Sequence, residues 1–270
     1  MPSMRISVRA ASPAALGFAS VFAVASVALA EIKTQTFDYK DGDAVLEGFI
    51  AWDDAKTTKQ PGVLVFPQWT GPSDDERASA VDLAKLGYVA MVADPYGKGI
   101  RPPAPKESGM EMGKYMNNRP LLRGRVKAAY DRLLQDSHVD PARMATIGYC
   151  FGGAAVLELG RQGADVKALV TVHGSLSNPT PADAKNIKGH VLVLHGADDP
   201  VVAPAEVDAF KSEMKAAGTD LEFVAYSDTK HGFALVSSGA DKSKGSFYNP
   251  VSAKRAWTAT KDFLEETVGH

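Results

Sequence analysis

Between the apolar run Ala145-Thr146-Ile147 and a second apolar stretch of helical character, the chain carries Gly148-Tyr149-Cys150-Phe151-Gly152-Gly153. No other segment limits the possible folds as much. The pattern is G-x-Nu-x-G, a nucleophile on a sharp strand-to-helix turn, with cysteine in the nucleophile place. Such a turn brings the backbone close to itself, so its neighbours must be small. The side chain is lifted above the carboxyl edge of a parallel sheet, where open α/β sheets place their sites. A helix that starts behind the sulfur favours a thiolate through its dipole and its free N–H groups. The N–H of Phe151 is placed to bind an oxyanion. A buried, inert cysteine beside a helix-opening glycine would give the same short motif, so the wider sequence has to decide.

That wider sequence alternates between strands and helices. Thr34 to Tyr39 and Ala44 to Trp52 flank the turn dipeptide Asp41-Gly42 and predict an antiparallel pair at a sheet edge. Gly62 to Phe66 reads as a buried parallel strand, and Ser73 to Leu86 as a helix capped by Ser73 and Asp74. Further strands are expected at Tyr88 to Ala93, Met144 to Ile147, Val166 to Val172, His190 to Leu194 and Leu221 to Tyr226. Further helices are expected at Leu121 to Leu134, Cys150 to Arg161, Pro204 to Ala217 and Val251 to Val268. Pro95 to Pro120, rich in proline and methionine, reads as a long irregular loop. The alternation predicts one α/β domain over residues 31–270, a mostly parallel sheet with helices on both faces. A hydrophobic content of 45% is enough for its core, and a net charge of −2 without long runs points to neither nucleic acid nor a membrane surface.

Residues 1–30 have another character. Arg5 and Arg9 precede an apolar stretch from Ala14 to Ala30, which ends in Ala28-Leu29-Ala30 before Glu31. This is the layout of a secretory signal peptide. The expectation is an exported protein, periplasmic if the source is Gram-negative, with no membrane attachment after cleavage. An exported chain with a single cysteine has no internal disulfide, so Cys150 is either buried and inert or kept for chemistry.

A hydrolase triad on such a sheet runs nucleophile, acid, histidine, each on a loop after a strand. After Val191 to Leu194 comes His195-Gly196-Ala197-Asp198-Asp199-Pro200, and after Phe223 to Tyr226 comes Ser227-Asp228-Thr229-Lys230-His231-Gly232-Phe233. The order Cys150, Asp199, His231 fits. His231 would take the thiol proton or hold an ion pair with the thiolate, and Asp199 would orient the imidazole. Asp198 is the competing acid. His173 ends a strand and could edge the pocket, while His138, His190 and His270 read as surface residues. No CxxC pair, HExxH motif, Walker A loop or G-x-G-x-x-G after a strand is present, so neither a metal nor a nucleotide cofactor is expected.

Nearly all of residues 31–270 resembles the dienelactone hydrolase (carboxymethylenebutenolidase) family of the α/β-hydrolase superfamily. The resemblance lies in the GVLVF strand, LAKLGYVAMVADPYGKG, GYCFGG, VLVLHGADDPV and the KHGF loop, with a closing helix after Tyr248-Asn249. It implies a monomeric hydrolase without cofactor that opens small cyclic or activated esters through a thioester. It also implies a second oxyanion N–H near Trp69. The sequence departs from the family in three places. Gln68-Trp69 stands where members often carry a glutamate that helps control thiol ionisation, and glutamine can neither take a proton nor repel a thiolate. Leu235 stands where a substrate-holding arginine is found, which implies a less charged ligand in a pocket edged by Gln68 and Leu235. Pro95 to Pro120 has no clear counterpart, so Arg101, Arg119, Arg123 and Arg125 are the candidates for a second arginine. Three functions fit: a thiol hydrolase of a small ester or lactone, an acyltransferase on the same fold, and a non-catalytic binding protein on a decayed hydrolase scaffold.

Overall fold

The computed structural model describes residues 31–269, and the expected signal peptide lies outside them. β1 (Ile32–Asp41) and β2 (Ala44–Asp53) form an antiparallel hairpin whose turn uses Gly42 at φ 56°. They continue into β3 (Gln60–Phe66), β4 (Val89–Val92), β5 (Val139–Tyr149), β6 (Ala168–Val172), β7 (His190–Gly196) and β8 (Leu221–Tyr226). The eight-stranded sheet has the order β1-β2-β4-β3-β5-β6-β7-β8. β2 meets β4 antiparallel, and every later pairing is parallel. This is the expected α/β sheet with its antiparallel N-terminal pair.

Strand alternation divides the core. Val63 and Val65 of β3 face α1 (Asp74–Lys85) and α6 (Pro250–Val268), packing with Ala80, Leu83, Phe263 and Leu264. Leu64 and Phe66 point the other way, toward α3 (Arg119–Leu134), α4 (Phe151–Arg161) and α5 (Pro204–Ala217), among Leu122, Val126, Leu157 and Phe210. Period-two alternation in a strand covered on both sides makes this division necessary.

Every residue of α4 is buried. Its last residue, Arg161, pairs with Glu158 at 3.2 Å and with Glu213 of α5 at 2.9 Å. Arg123 of α3 joins Glu158 at 2.7 Å and Asp183 at 2.7 Å. A buried charge needs such partners. The network fixes the far end of the helix whose near end follows Cys150.

The stretch from Pro95 to Pro120 differs from expectation. It contains α2 (Pro105–Met116), and α3 already starts at Arg119. Pro105 takes the first helical position, where a missing N–H costs nothing, and Asn118 caps α3 by accepting from the Leu121 N–H. Gly109 and Gly113 inside α2 weaken the local helix signal, each by about 1 kcal/mol relative to alanine. Packing of Met112, Tyr115 and Met116 against the core supplies what propensity lacks. Among the described residues, no helix is long and apolar enough to cross a membrane.

Candidate active site

β5 ends at Tyr149 and α4 begins at Phe151, so Cys150 alone makes the turn, at φ 52° and ψ −114°. Few non-glycine residues adopt positive φ, and strain of this kind collects at functional sites. Two glycines make the turn possible. A Cβ on Gly148 would lie 2.0 Å from the Gly152 carbonyl oxygen, and one on Gly152 would lie 2.3 Å from that of Phe66. The nucleophile turn is thus wedged against the end of β3. The neighbouring strand end holds it from the other side. The Cys150 N–H donates to the Val172 carbonyl at 3.2 Å, and the Cys150 carbonyl accepts from Ser175 at 3.0 Å.

The loops after β7 and β8 bring in the two polar partners. His231 Nδ1 lies 2.8 Å from Asp199 Oδ2, with the Asp199 side chain fully buried. The other carboxylate oxygen, Oδ1, accepts from the N–H groups of Val201 at 2.8 Å and Val202 at 3.2 Å. Burial opposes the charge on Asp199, but the His231 contact and these N–H donors outweigh it and hold the carboxyl below its ordinary range. Burial also opposes a charged His231. The hydrogen bonds and charges of Asp199 and Cys150 outweigh that, and the imidazole is pushed up to about 10. Asp199 occupies Nδ1, so the contact with Cys150 falls to the buried Nε2. Asp198, the competing acid, is exposed, and its N–H donates to the Thr229 carbonyl at 3.0 Å.

Cys150 and His231 line one cavity of about 310 Å³, with Gln68, Trp69, Phe151, His173, Met112, Met116, Val201 and Val202 around them. Phe151 opens α4, so its N–H has no carbonyl a turn earlier to bond. Trp69 follows β3, and its carbonyl accepts from the Tyr96 hydroxyl at 2.8 Å. The Tyr96 ring stacks on Phe151 at 5.6 Å between centroids. One tyrosine therefore braces both candidate oxyanion residues.

Leu235 lies elsewhere. It is buried in the core with Tyr226, Phe233 and Leu264 and does not line the cavity. The chain reverses at Gly232, at φ 67°, and the Leu235 N–H bonds back to the Gly232 carbonyl at 3.2 Å, which turns the side chain under the loop. None of the candidate arginines lines the cavity, although Arg119 lies behind its wall, with Nη1 3.3 Å from Met116 Sδ. Arg101 pairs with Glu47 at 3.3 Å, Arg119 donates to Ser177, Arg123 pairs with Glu158 and Asp183, and Arg125 pairs with Asp41. No lysine or arginine among the described residues lines the cavity.

Two contributions escape a reading of the sequence. Met112 and Met116 reach the cavity because α2 places them four residues apart on one face. Glu76 of α1, fully buried, accepts from the Gln68 N–H at 3.3 Å and from the Ser73 N–H at 3.0 Å. The Ser73-x-x-Glu76 spacing signals its capping role but not its reach to Gln68. Among the described residues, no group of His, Cys, Asp and Glu could hold a metal ion.

The sequence profile described as "Dienelactone hydrolase family" matches residues 46–268. The solved structure of m3DLH superposes with a TM-score of 0.85 and 37% identity, covering 88% of this chain and 99% of its own. The dienelactone hydrolase-like promiscuous phosphotriesterase P91, from metagenomic libraries, gives 0.84 and 36%, with coverage of 88% and 99%. A Bradyrhizobium protein named for 2-oxo-3-(5-oxofuran-2-ylidene)propanoate lactonase activity is 25% identical over 218 residues, 77% of this chain and 84% of its own. A match that runs from β2 to the end of α6, on a sheet of this order, places the chain in a family by its whole domain: it is a hydrolase of the dienelactone hydrolase family.

Proposed function

We propose that the protein hydrolyses small, uncharged esters or lactones, with Cys150 as nucleophile, His231 as acid and base, and Asp199 as the residue that orients the imidazole. The observation that carries this reading is the placement of a cysteine at a strained strand-to-helix turn, in the same cavity as a His231–Asp199 pair 2.8 Å apart. The thiolate attacks the ester carbonyl, and the oxyanion is received by the N–H groups of Phe151 and Trp69. Collapse of that intermediate expels the alkoxide, which takes a proton from His231, and leaves an acyl thioester on Cys150. Gln68 cannot act as a proton acceptor, so thiolate formation rests on His231 and on the N-terminus of α4.

The substrate class follows from the lining. Trp69, Met112, Met116, Phe151, Val201 and Val202 offer apolar walls, and no lysine or arginine among the described residues faces the cavity to hold a carboxylate. The expected substrates are aryl or alkyl esters and lactones without a free carboxylate. A matched pair of aryl esters, one acetate and one hemisuccinate, tests this. A higher kcat/KM for the acetate by at least tenfold is expected, and a preference for the hemisuccinate would overturn it. The rate of Cys150 alkylation by iodoacetamide across pH tests the nucleophile itself. Labelling well below the range of a free thiol, with activity lost in step, is the expected result; an active Cys150→Ala protein would remove the reading.

P91 is named as a phosphotriesterase, and this supports assaying the chain on an aryl phosphotriester as a second substrate class. The export reading of residues 1–30 is tested by sequencing the amino terminus of the mature protein, which should begin at Glu31.

A further inference from the structure

His173 stands between the two halves of the candidate site. It follows β6, which lies in the sheet between β5, the strand that leads to Cys150, and β7, the strand that leads to Asp199. Its φ of 43° makes it one of three non-glycine residues with positive φ among the described residues, and Cys150 is another. Its N–H donates to the Leu194 carbonyl at 2.8 Å, while the residues on either side, Val172 and Ser175 beyond Gly174, bond to the backbone of Cys150.

The ring is fully buried, yet it forms part of the cavity wall beside Cys150 and His231. Its centroid lies 5.2 Å from that of His231, edge to face at 64°. Neither ring nitrogen of His173 has a side-chain hydrogen-bond partner, and Nε2 of His231 has only the Cys150 thiol to face. Buried polar atoms rarely lack partners, and when they do a functional ligand is a natural account. Burial, and then the neighbouring His231, keep the His173 pKa well below the ordinary imidazole value. The ring is therefore neutral at working pH, with one N–H to donate and one lone pair to accept. A hydroxyl group, which both accepts and donates, matches that pair. A carbonyl or ether oxygen satisfies only the donor.

We infer that His173 and His231 together bind the hydroxyl nucleophile, water or a small alcohol, that attacks the Cys150 thioester. This rests on the thioester reading above. In the acyl-enzyme His231 is neutral, having given its proton to the departing alkoxide. The bound water loses one proton to His231 Nε2 while its oxygen forms the bond to the acyl carbon. The C–S bond then breaks, the electron pair returns to sulfur, and a carboxylic acid leaves the Cys150 thiolate beside a protonated His231. His173 takes no proton; it holds the oxygen in line.

The test separates the two half-reactions on p-nitrophenyl acetate. The rate of the p-nitrophenol burst reports acylation, and the following steady rate, with intact-protein mass, reports loss of acyl-Cys150. His173→Phe keeps a ring against His231 but removes both polar atoms. Acylation is expected within about threefold of the parent, with deacylation slowed roughly ten- to hundred-fold and acyl-Cys150 accumulating. His173→Asn restores a donor and an acceptor and tolerates positive φ; it should deacylate faster than the Phe variant. If the Phe variant does not fold, the ratio of the two rates in the Asn variant decides, and it should fall below that of the parent. With methanol added, a fall in hydrolysis alone makes water the ligand, and a parallel fall in methyl acetate formation extends the site to alcohols. Unchanged deacylation, or acylation and deacylation falling by one common factor, overturns the inference. A parent enzyme that never carries an acyl group on Cys150 removes the thioester reading itself, a different result from any of these.

Discussion

The N–H of Gln68 donates to the buried carboxylate of Glu76 at 3.3 Å, so a residue of α1 holds the loop that carries Trp69. Burial raises the pKa of Glu76, against the hydrogen bonds from Ser73 and Gln68. A carboxyl with a raised folded pKa binds its proton more tightly folded than unfolded. Its contribution to stability therefore declines as pH rises through the ordinary carboxylate range and up to the raised value. Glu76→Gln keeps an acceptor for Gln68 and should flatten this decline, read as urea midpoints at pH 5 and pH 8. Glu76→Ala leaves two N–H groups without an acceptor and should cost about 1–3 kcal/mol and lower kcat as the loop loosens.

Asp199 and Asp198 are adjacent in sequence and differ in surroundings. Only Asp199 touches His231. Asp199→Asn should lower kcat by roughly 10³- to 10⁴-fold, because the imidazole loses both its orienting acceptor and the charge that favours its protonated form. Asp198→Asn should stay within about twofold. Steady-state kinetics on one aryl ester compare the two directly, and equal losses would count against the assignment of the acid.

The pH dependence of stability carries its own signature. His231 is raised from 6.5 to about 10, so its contribution is fully present below pH 6.5 and is lost as pH rises through about 10. Cys150 is one cause of that rise. Cys150→Ala should therefore narrow the window from its alkaline side and bring the loss to lower pH. Thermal denaturation at intervals from pH 6 to pH 10.5, for parent and variant, checks this.

Arg161 lies fully buried between Glu158 and Glu213. Arg161→Met removes one charge and leaves the buried Glu213 carboxylate without an ion-pair partner, while Glu158 keeps Arg123, and it should cost about 3–5 kcal/mol in urea denaturation. The Arg161→Met/Glu158→Gln/Glu213→Gln variant fills the same space without charge and should recover most of that loss.

Much of the architecture can be read from the chain because period-two and helical patterns agree with burial. Val63 and Val65 face one layer and Leu64 and Phe66 the other, as a covered strand requires. Leu221 to Tyr226 and Pro204 to Ala217 fold with the bounds that their patterns suggest. Cys150, Asp199 and His231 stand out because a tight turn and two strand ends leave local signatures. What is hidden depends on long-range packing. α2 carries two glycines and a run of prolines before it, and only its contact with the core reveals it as a helix. The family resemblance sets Leu235 at the pocket, in the place of a substrate-holding arginine, but the reversal at Gly232 sends it into the core. The reach of Glu76 to Gln68, and the pairing of the His173 and His231 rings, join segments that are far apart in the chain.

The burial of every residue of α4 has a consequence for how the enzyme fails. A helix with a solvent face can fray while the rest of its domain stays intact; this one has no such face to open. Its amide protons should exchange only through global unfolding, and the elbow at Cys150 should share their protection. Heat inactivation and loss of the cooperative transition are then a single event, with no inactive but folded state between them.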